Sequence, residues 1–373
     1  MVLNISNTLT MICGRVRVAR RLSLAFGALT LERDGTGVGT YTRELLSAMA
    51  SLLPECLDVS ALVQAPSADC LPAAIEAWQV PQSSGIRRAV LGKLPVPRVD
   101  VFHGLDADLP VSGPRAKVAT IHDMSVFDTP WAYPAIRARG ERLLVRDSLR
   151  RADAVIAVSE FTADRIRDLA GVEPIVIGLA PPSWARCASP AEIVAVREKY
   201  ALPSRFVLQV GTVEPRKRPD VVAAAARGAG LACVLAGKNS DTSAAPAGAI
   251  GLGYVDRADL PALYGAATVV AYASEYEGFG LPPLEAMACG AAVVASDVGA
   301  LPDVVGDGAV LIGGFEVAEW ADEFGDLAAG PAELAALRRA GLAVAQSLSW
   351  RDAARRTLAV YESVGLWART GVA

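Results

Sequence analysis

The chain has 373 residues, enough for two domains of ordinary size. Its 36 basic and 40 acidic side chains give a net charge of −4, which argues against a nucleic-acid binder, normally a basic protein. Six cysteines (Cys13, Cys56, Cys70, Cys187, Cys233, Cys289) form no C-x-x-C pair, which fits reduced thiols better than a disulfide framework or zinc site.

Residues 1–20 lack a basic start followed by a long apolar core, so they do not read as a secretory signal and are taken as an N-terminal extension. A first strand within them stays open. Apolar strand-like runs then alternate with helical stretches, the pattern of an α/β fold with parallel sheets. Strands are expected at 22–28, 59–64, 99–103, 116–121, 154–158 and 175–179. A helix is expected over 40–51, and Ser159 caps another. The segments 67–82 and 124–134 read as loops. The helix carrying Arg137, Arg139, Arg142, Arg146 and Arg150 is either a solvated face paired with Glu141 and Asp147 or a contact for anionic lipid. A polar, proline-containing stretch at 181–203 marks the domain boundary, giving domains at 21–185 and 200–348. Second-half strands are expected at 206–211, 232–236, 249–252, 268–272, 292–296 and 309–312, with a last helix and tail over 349–373. No uncharged apolar run reaches the roughly 18 residues that a membrane-spanning helix needs.

Ser274-Glu-Tyr-Glu-Gly-Phe-Gly-Leu-Pro-Pro-Leu-Glu-Ala-Met-Ala-Cys-Gly290 carries the most chemistry. It follows an apolar strand, passes through Gly278 and Gly280, and enters a helix whose first turn takes Pro282 and Pro283. A glycine loop at a helix N-terminus suits an anion. Glu277 in the loop and Glu285 in the helix are acceptors for vicinal hydroxyls. Together these features suit a ligand with phosphate and polyol parts.

Glu277-x7-Glu285 within EGFGLPPLEAMACG resembles the signature of retaining GT-B glycosyltransferases of family 4, which move a sugar from a nucleotide-sugar donor. The resemblance implies two Rossmann-like domains facing across a cleft, with the C-terminal helix crossing back to the first. It implies Glu285 on ribose hydroxyls, Glu277 on sugar hydroxyls, and the amides of Gly278, Phe279, Gly280 and Leu281 on sugar or phosphate. Gly211-Thr-Val-Glu-Pro-Arg-Lys217 is similar to the family's phosphate loop, so Arg216 and Lys217 are expected on the diphosphate. Thr212 stands where many members have arginine. Lys238 and Val255 match nucleotide-holding positions.

The two histidines, His103 and His122, sit at expected strand C-termini, the ligand edge of open α/β sheets. By resemblance, His122 faces the donor sugar as a catalytic residue with Asp123 as companion, and His103 lines the cleft or fixes a loop. Asp34-Gly-Thr-Gly-Val-Gly39 looks like the family's first loop, with Gly37 and Gly39 approaching diphosphate and acceptor. Its G-x-G-x-G spacing also leaves open a nicotinamide oxidoreductase, with Asp58 as ribose acid. A non-catalytic nucleotide-sugar binder is the third alternative. No metal or cofactor is expected, since the cationic loop can do a metal's work. The partners implied are a GDP- or UDP-linked sugar, mannose favoured, and a glycan, lipid-linked or small-molecule acceptor. The location implied is the cytoplasm or the inner face of its membrane.

Overall fold

A computed structural model describes residues 22–31, 36–54 and 57–366. The extension at 1–20 and the loop residues Arg33, Asp34 and Gly35 lie outside them, as do Cys13 and Cys56. The chain divides after Leu179 and again before Trp350, so one unit is discontinuous and the other continuous.

The first unit opens with β1 (Leu22–Gly27), α1 (Gly37–Ala50), β2 (Leu57–Gln64), β3 (Glu76–Val80), α2 (Gly85–Lys93), β4 (Val101–Gly104) and β5 (Ala116–Ile121). There follow α3 (Ser125–Asp128), α4 (Ala135–Arg151), β6 (Ala154–Ala157), α5 (Glu160–Ala170) and β7 (Ile175–Val176). Its described strands form one parallel sheet in the order β3-β2-β1-β4-β5-β6-β7. Leu24, Phe26, Phe102 and Val118 are fully buried, as the near-continuous apolar strands require when helices cover both faces. The Ser159 hydroxyl accepts from Thr162 N at the start of α5, the expected cap.

Within 67–82, expected as loop, Glu76–Val80 pairs in parallel with Ser60–Gln64 as β3. Glu-Ala-Trp-Gln-Val is polar and partly exposed on the sheet edge, so it lacks the apolar run that marks a central strand. The segment 124–134 likewise contains α3 and a 3₁₀ turn over Pro130–Ala132.

The second unit comprises α6 (Pro190–Lys199), β8 (Phe206–Val210), α7 (Pro219–Gly228), β9 (Ala232–Ala236), β10 (Ile250–Gly251), α8 (Leu260–Ala266) and β11 (Val269–Tyr272). It continues through α9 (Leu281–Ala288), β12 (Val293–Ser296), α10 (Leu301–Val305), β13 (Val310–Ile312), α11 (Val317–Ala329) and α12 (Pro331–Ser347). The helix α6 lies within the stretch 181–203. It is started by a capping box between Ser189 and Glu192, a local signal that the prolines obscure in sequence. The sheet order is β10-β9-β8-β11-β12-β13, all parallel. Its core packs Val207, Val222, Leu235 and Val294 against Trp320 and Phe324 of α11.

The last helix, α13 (Trp350–Ser363), belongs to the first unit. There it packs on α1, with Trp350 against the Tyr41 ring at 6.0 Å.

Candidate functional site

In each sheet the strand order reverses once, between β1 and β4 and between β8 and β11. Such a switch point leaves a crevice beyond the strand C-termini where ligands bind. The chemistry-bearing residues collect at both.

In the second unit the loops after β8 and β11 flank the switch. Gly211 has φ +137°, and a Cβ there would come 2.9 Å from Lys217 Nζ. The ammonium therefore lies directly over this backbone. A small pocket is lined by Gln209, Gly211, Thr212, Val213, Lys217 and Pro219. Lys217 has no ion pair among the described residues and remains available to an anion. Gln209 Nε2 donates to Lys217 O at 2.8 Å and fixes the turn.

Arg216 behaves differently from its neighbour. Its guanidinium donates to Tyr276 O and, at 2.9 Å, to Glu214, and lies 3.9 Å from Glu277. Arg216 O also accepts from Glu275 N at 2.8 Å. Expected on phosphate, it is here a strut tying the β8 loop to the β11 loop, because its planar fork matches the acceptors that loop presents.

Glu277 is half-buried, and its Oε1 accepts from the Ser274 hydroxyl at 2.8 Å. Its backbone carbonyl accepts from Ala300 N at 3.0 Å, and a Cβ on Gly299 (φ +60°) would come 2.4 Å from that oxygen. Only glycine allows this approach. Gly280 caps α9 with φ +107°, its Cα close to the Leu301 side chain. Pro282 and Pro283 carry no N–H, so the anion-binding amides here reduce to those of the Gly278–Gly280 loop and Leu281, fewer than an ordinary helix start offers.

Glu285 faces inward from α9 and is half-buried. The Tyr264 hydroxyl donates to its Oε2 at 3.3 Å and lies 3.3 Å from the Tyr272 hydroxyl. Burial pushes its carboxyl up to about 7, although Tyr264, Arg257 and Lys217 all favour the charged form. Lys238 is exposed, its carbonyl accepting from Val213 N at 2.9 Å, and Val255 is buried.

In the first unit, His122 Nε2 lies 2.9 Å from Leu105 O. A carbonyl only accepts, so Nε2 carries the hydrogen. Asp123 is exposed, and its Oδ1 accepts from Ser125 N at 2.9 Å and from the Ser125 hydroxyl. It thereby holds the first residue of α3 and shares no hydrogen bond with His122 among the described residues. His103, expected to line a cleft, is fully buried between Thr120 and Tyr361. Burial holds its ring down to about 3, hence neutral. Gly37 is exposed at the start of α1. Gly39 is buried, and a Cβ there would come 3.0 Å from Thr30 O, which makes it a packing glycine.

Residues 195–344 match the family model for glycosyl transferases group 1, and residues 35–182 match that for glycosyltransferase family 4. O-antigen chain mannosyltransferase B of Escherichia coli is 33% identical over 284 residues, 70% of this chain and 74% of that protein. The chain belongs to the family 4 glycosyltransferases. A D-inositol 3-phosphate glycosyltransferase of Mycobacterium tuberculosis is 33% identical over 65% of this chain and 55% of that protein. Sucrose-phosphate synthase from Thermosynechococcus elongatus shares the fold at a TM-score of 0.72 and 19% identity, covering 92% of this chain and 99% of that one. HepE of Anabaena, solved in complex with UDP-glucose, does so at 0.69 and 18%, covering 92% and 100%. The fold is GT-B.

The dinucleotide alternative loses its acid in this glycosyltransferase. Asp58 is the second residue of β2, at the N-terminal end of the sheet and opposite the ligand edge. The sequence reading passed over one Asp-x-Asp spacing, Asp106-Ala107-Asp108, after β4. Asp106 pairs with Arg88 at 3.8 Å, and burial with the Asp106 charge pushes the Asp108 carboxyl up to about 7. Among the described residues no group of three His, Cys, Asp or Glu side chains could hold a metal. Sequence reasoning also missed Gln209, Tyr264 and Arg257, which act on named site residues from other elements. No local motif marks them.

Proposed function

We propose that this glycosyltransferase is a retaining enzyme that takes mannose from GDP-mannose and passes it to a hydroxyl of a glycan or lipid-linked acceptor. The observation that carries the donor assignment is the second unit's switch point, where Lys217 lines a small pocket with no ion pair among the described residues, favours the charged form of Glu285, and stands with the glycine loop that enters α9. Lys217 and the amides of the Gly278–Leu281 turn hold the diphosphate, with Thr212 beside them. Glu285 accepts from the ribose hydroxyls and Glu277 from the sugar. Arg216 holds the Glu277 loop in place. Lys238 and Val255 flank the nucleoside. From the first unit, the family resemblance assigns His122 to the donor sugar and Gly37 to the acceptor side.

The reaction breaks the bond between the anomeric carbon and the diphosphate oxygen. The acceptor oxygen bonds to that carbon on the same face, and its proton passes to the departing phosphate. Fixed cationic and amide donors stabilise the charge that develops on the leaving group. The mannose donor is favoured by the 33% identity to a mannosyltransferase.

Contact with an anionic lipid surface belongs to the same reading. Ile136 and Leu143 are exposed on the outward face of α4, beside Arg139, Arg146 and Arg150. The buried Ala138, Val145 and Leu149 lie on the opposite face. Apolar tips among arginines suit the interface of an anionic bilayer. No helix among the described residues is long and apolar enough to cross a membrane.

The deciding experiment is calorimetric titration of GDP, UDP, ADP and NAD into wild type and Glu285→Ala, with chelator present. Tight GDP binding that the variant loses is expected. Tight binding of UDP alone would replace the donor, and NAD binding insensitive to the mutation would overturn the reading.

A further inference from the structure

Behind His122 runs a chain of buried polar side chains drawn from four elements. Tyr361 Oη of α13 lies 2.6 Å from His103 Nδ1, and His103 Nε2 lies 2.8 Å from Thr120 Oγ1. Thr120 Oγ1 in turn lies 2.9 Å from Tyr41 Oη of α1. His103, Thr120 and Tyr361 are fully buried and Tyr41 nearly so. The Tyr41 ring then meets the His122 ring edge-on, at 4.7 Å between centroids and 79° between planes. Leu105 O takes the His122 Nε2 hydrogen, and Leu105 N is itself anchored to Gly27 O at 3.1 Å. His122 is thus held twice, by a carbonyl at one ring nitrogen and by an aromatic edge.

A buried polar chain is a demanding way to fill this space. Each member needs a partner, and phenylalanine at 41 or 361 would pack without one. What the hydroxyls add is direction. Thr120 fixes where the Tyr41 ring lies, and a rigid ring fixes its neighbour. In the Nε2–H tautomer the ring's lone pair sits on Nδ1.

We propose that Tyr41 is a positioning residue for His122, and that Tyr361 of the last helix completes that positioning through His103 and Thr120. The inference rests on the reading that His122 acts on the donor sugar. It extends the site to α13, which the chain builds only after finishing the second unit. It also gives the buried His103 a task. Burial, the larger cause, holds His103 neutral, so its ring can accept from one neighbouring hydroxyl and donate to the other.

The chain has only two histidines, so ring nitrogen NMR resolves each of them. Wild type should show His122 as a single Nε2–H tautomer. Tyr41→Leu should give a tautomer mixture at His122, lower kcat at least tenfold, and leave nucleotide Kd within twofold. Tyr41→Phe keeps the ring and should lower kcat a few-fold. Tyr361→Phe should shift the His103 signals most and His122 less, again with unchanged nucleotide Kd. An unaltered His122 tautomer in Tyr41→Leu, or in Tyr41→Met if the Leu variant does not fold, overturns the proposal. Full transfer activity in His122→Ala would instead remove the catalytic reading of His122, while the tautomer measurement still decides the positioning.

Discussion

Acidification should weaken nucleotide binding through one residue, Glu285. Its carboxyl titrates at about 7 because burial outweighs the help of Tyr264, Arg257 and Lys217. About nine-tenths of the groups are then ionised at pH 8 and about one-tenth at pH 6. If only the carboxylate accepts from both ribose hydroxyls, apparent affinity follows that fraction and falls about tenfold, or about 1.4 kcal/mol. The terminal phosphate of free GDP titrates in the same range, so Glu285→Gln supplies the reference. Calorimetric Kd values at pH 6, 7 and 8 should show a wild-type ratio about tenfold larger than the variant's. Equal ratios would refute the reasoning. The same shift links to stability. The folded pKa lies above the unfolded value, so its contribution is complete below about 4.5 and is lost as pH rises through about 7. Glu285→Gln should therefore stabilise the ligand-free protein at pH 8, by on the order of 1–3 kcal/mol, and have little effect at pH 4.

Gly299→Ala places a Cβ 2.4 Å from Glu277 O at φ +60°. It should cost roughly 1–3 kcal/mol in urea unfolding and lower transfer by displacing the Glu277 loop; a wild-type midpoint would contradict the close approach. His103 titrates near 3 when folded and near the ordinary histidine value when unfolded, so the unfolded chain binds the extra proton in between. Stability should fall on acidification below about pH 6.5, by roughly 1.4 kcal/mol per pH unit relative to His103→Phe. Parallel pH profiles for the two proteins would sink that assignment. Phosphatidylglycerol vesicles should co-sediment the protein, while phosphatidylcholine vesicles should not. Replacing Arg139, Arg146 and Arg150 with alanine should weaken binding by about 3 kcal/mol, about a hundredfold. Equal binding to both lipids would exclude the charged face.

The second-unit site was largely legible because its parts are contiguous in sequence. Strand, glycines, prolines and the acids Glu277 and Glu285 follow one another from Val269 to Ala288, and local rules for loops and helix starts apply to them directly. Similarly, the apolar strands of both sheets were visible as uninterrupted runs, because parallel strands covered on both faces need such residues. The edge strand β3 was not, since half of it faces water.

The sequence by itself therefore determined the α/β class, the parallel strands, the family and the strand–glycine-loop–helix motif with its two named glutamates, each encoded over a few turns of chain. Only the tertiary structure decided how those side chains are partnered. It turned Arg216 into a strut, gave Asp123 to α3, and buried His103 between Thr120 and Tyr361, 258 residues away in the chain from Tyr361. It also set Tyr264 against Glu285 and raised that carboxyl towards neutrality. Hydrogen-bond partners and burial depend on distances across the fold, and no local pattern of residue types fixes them.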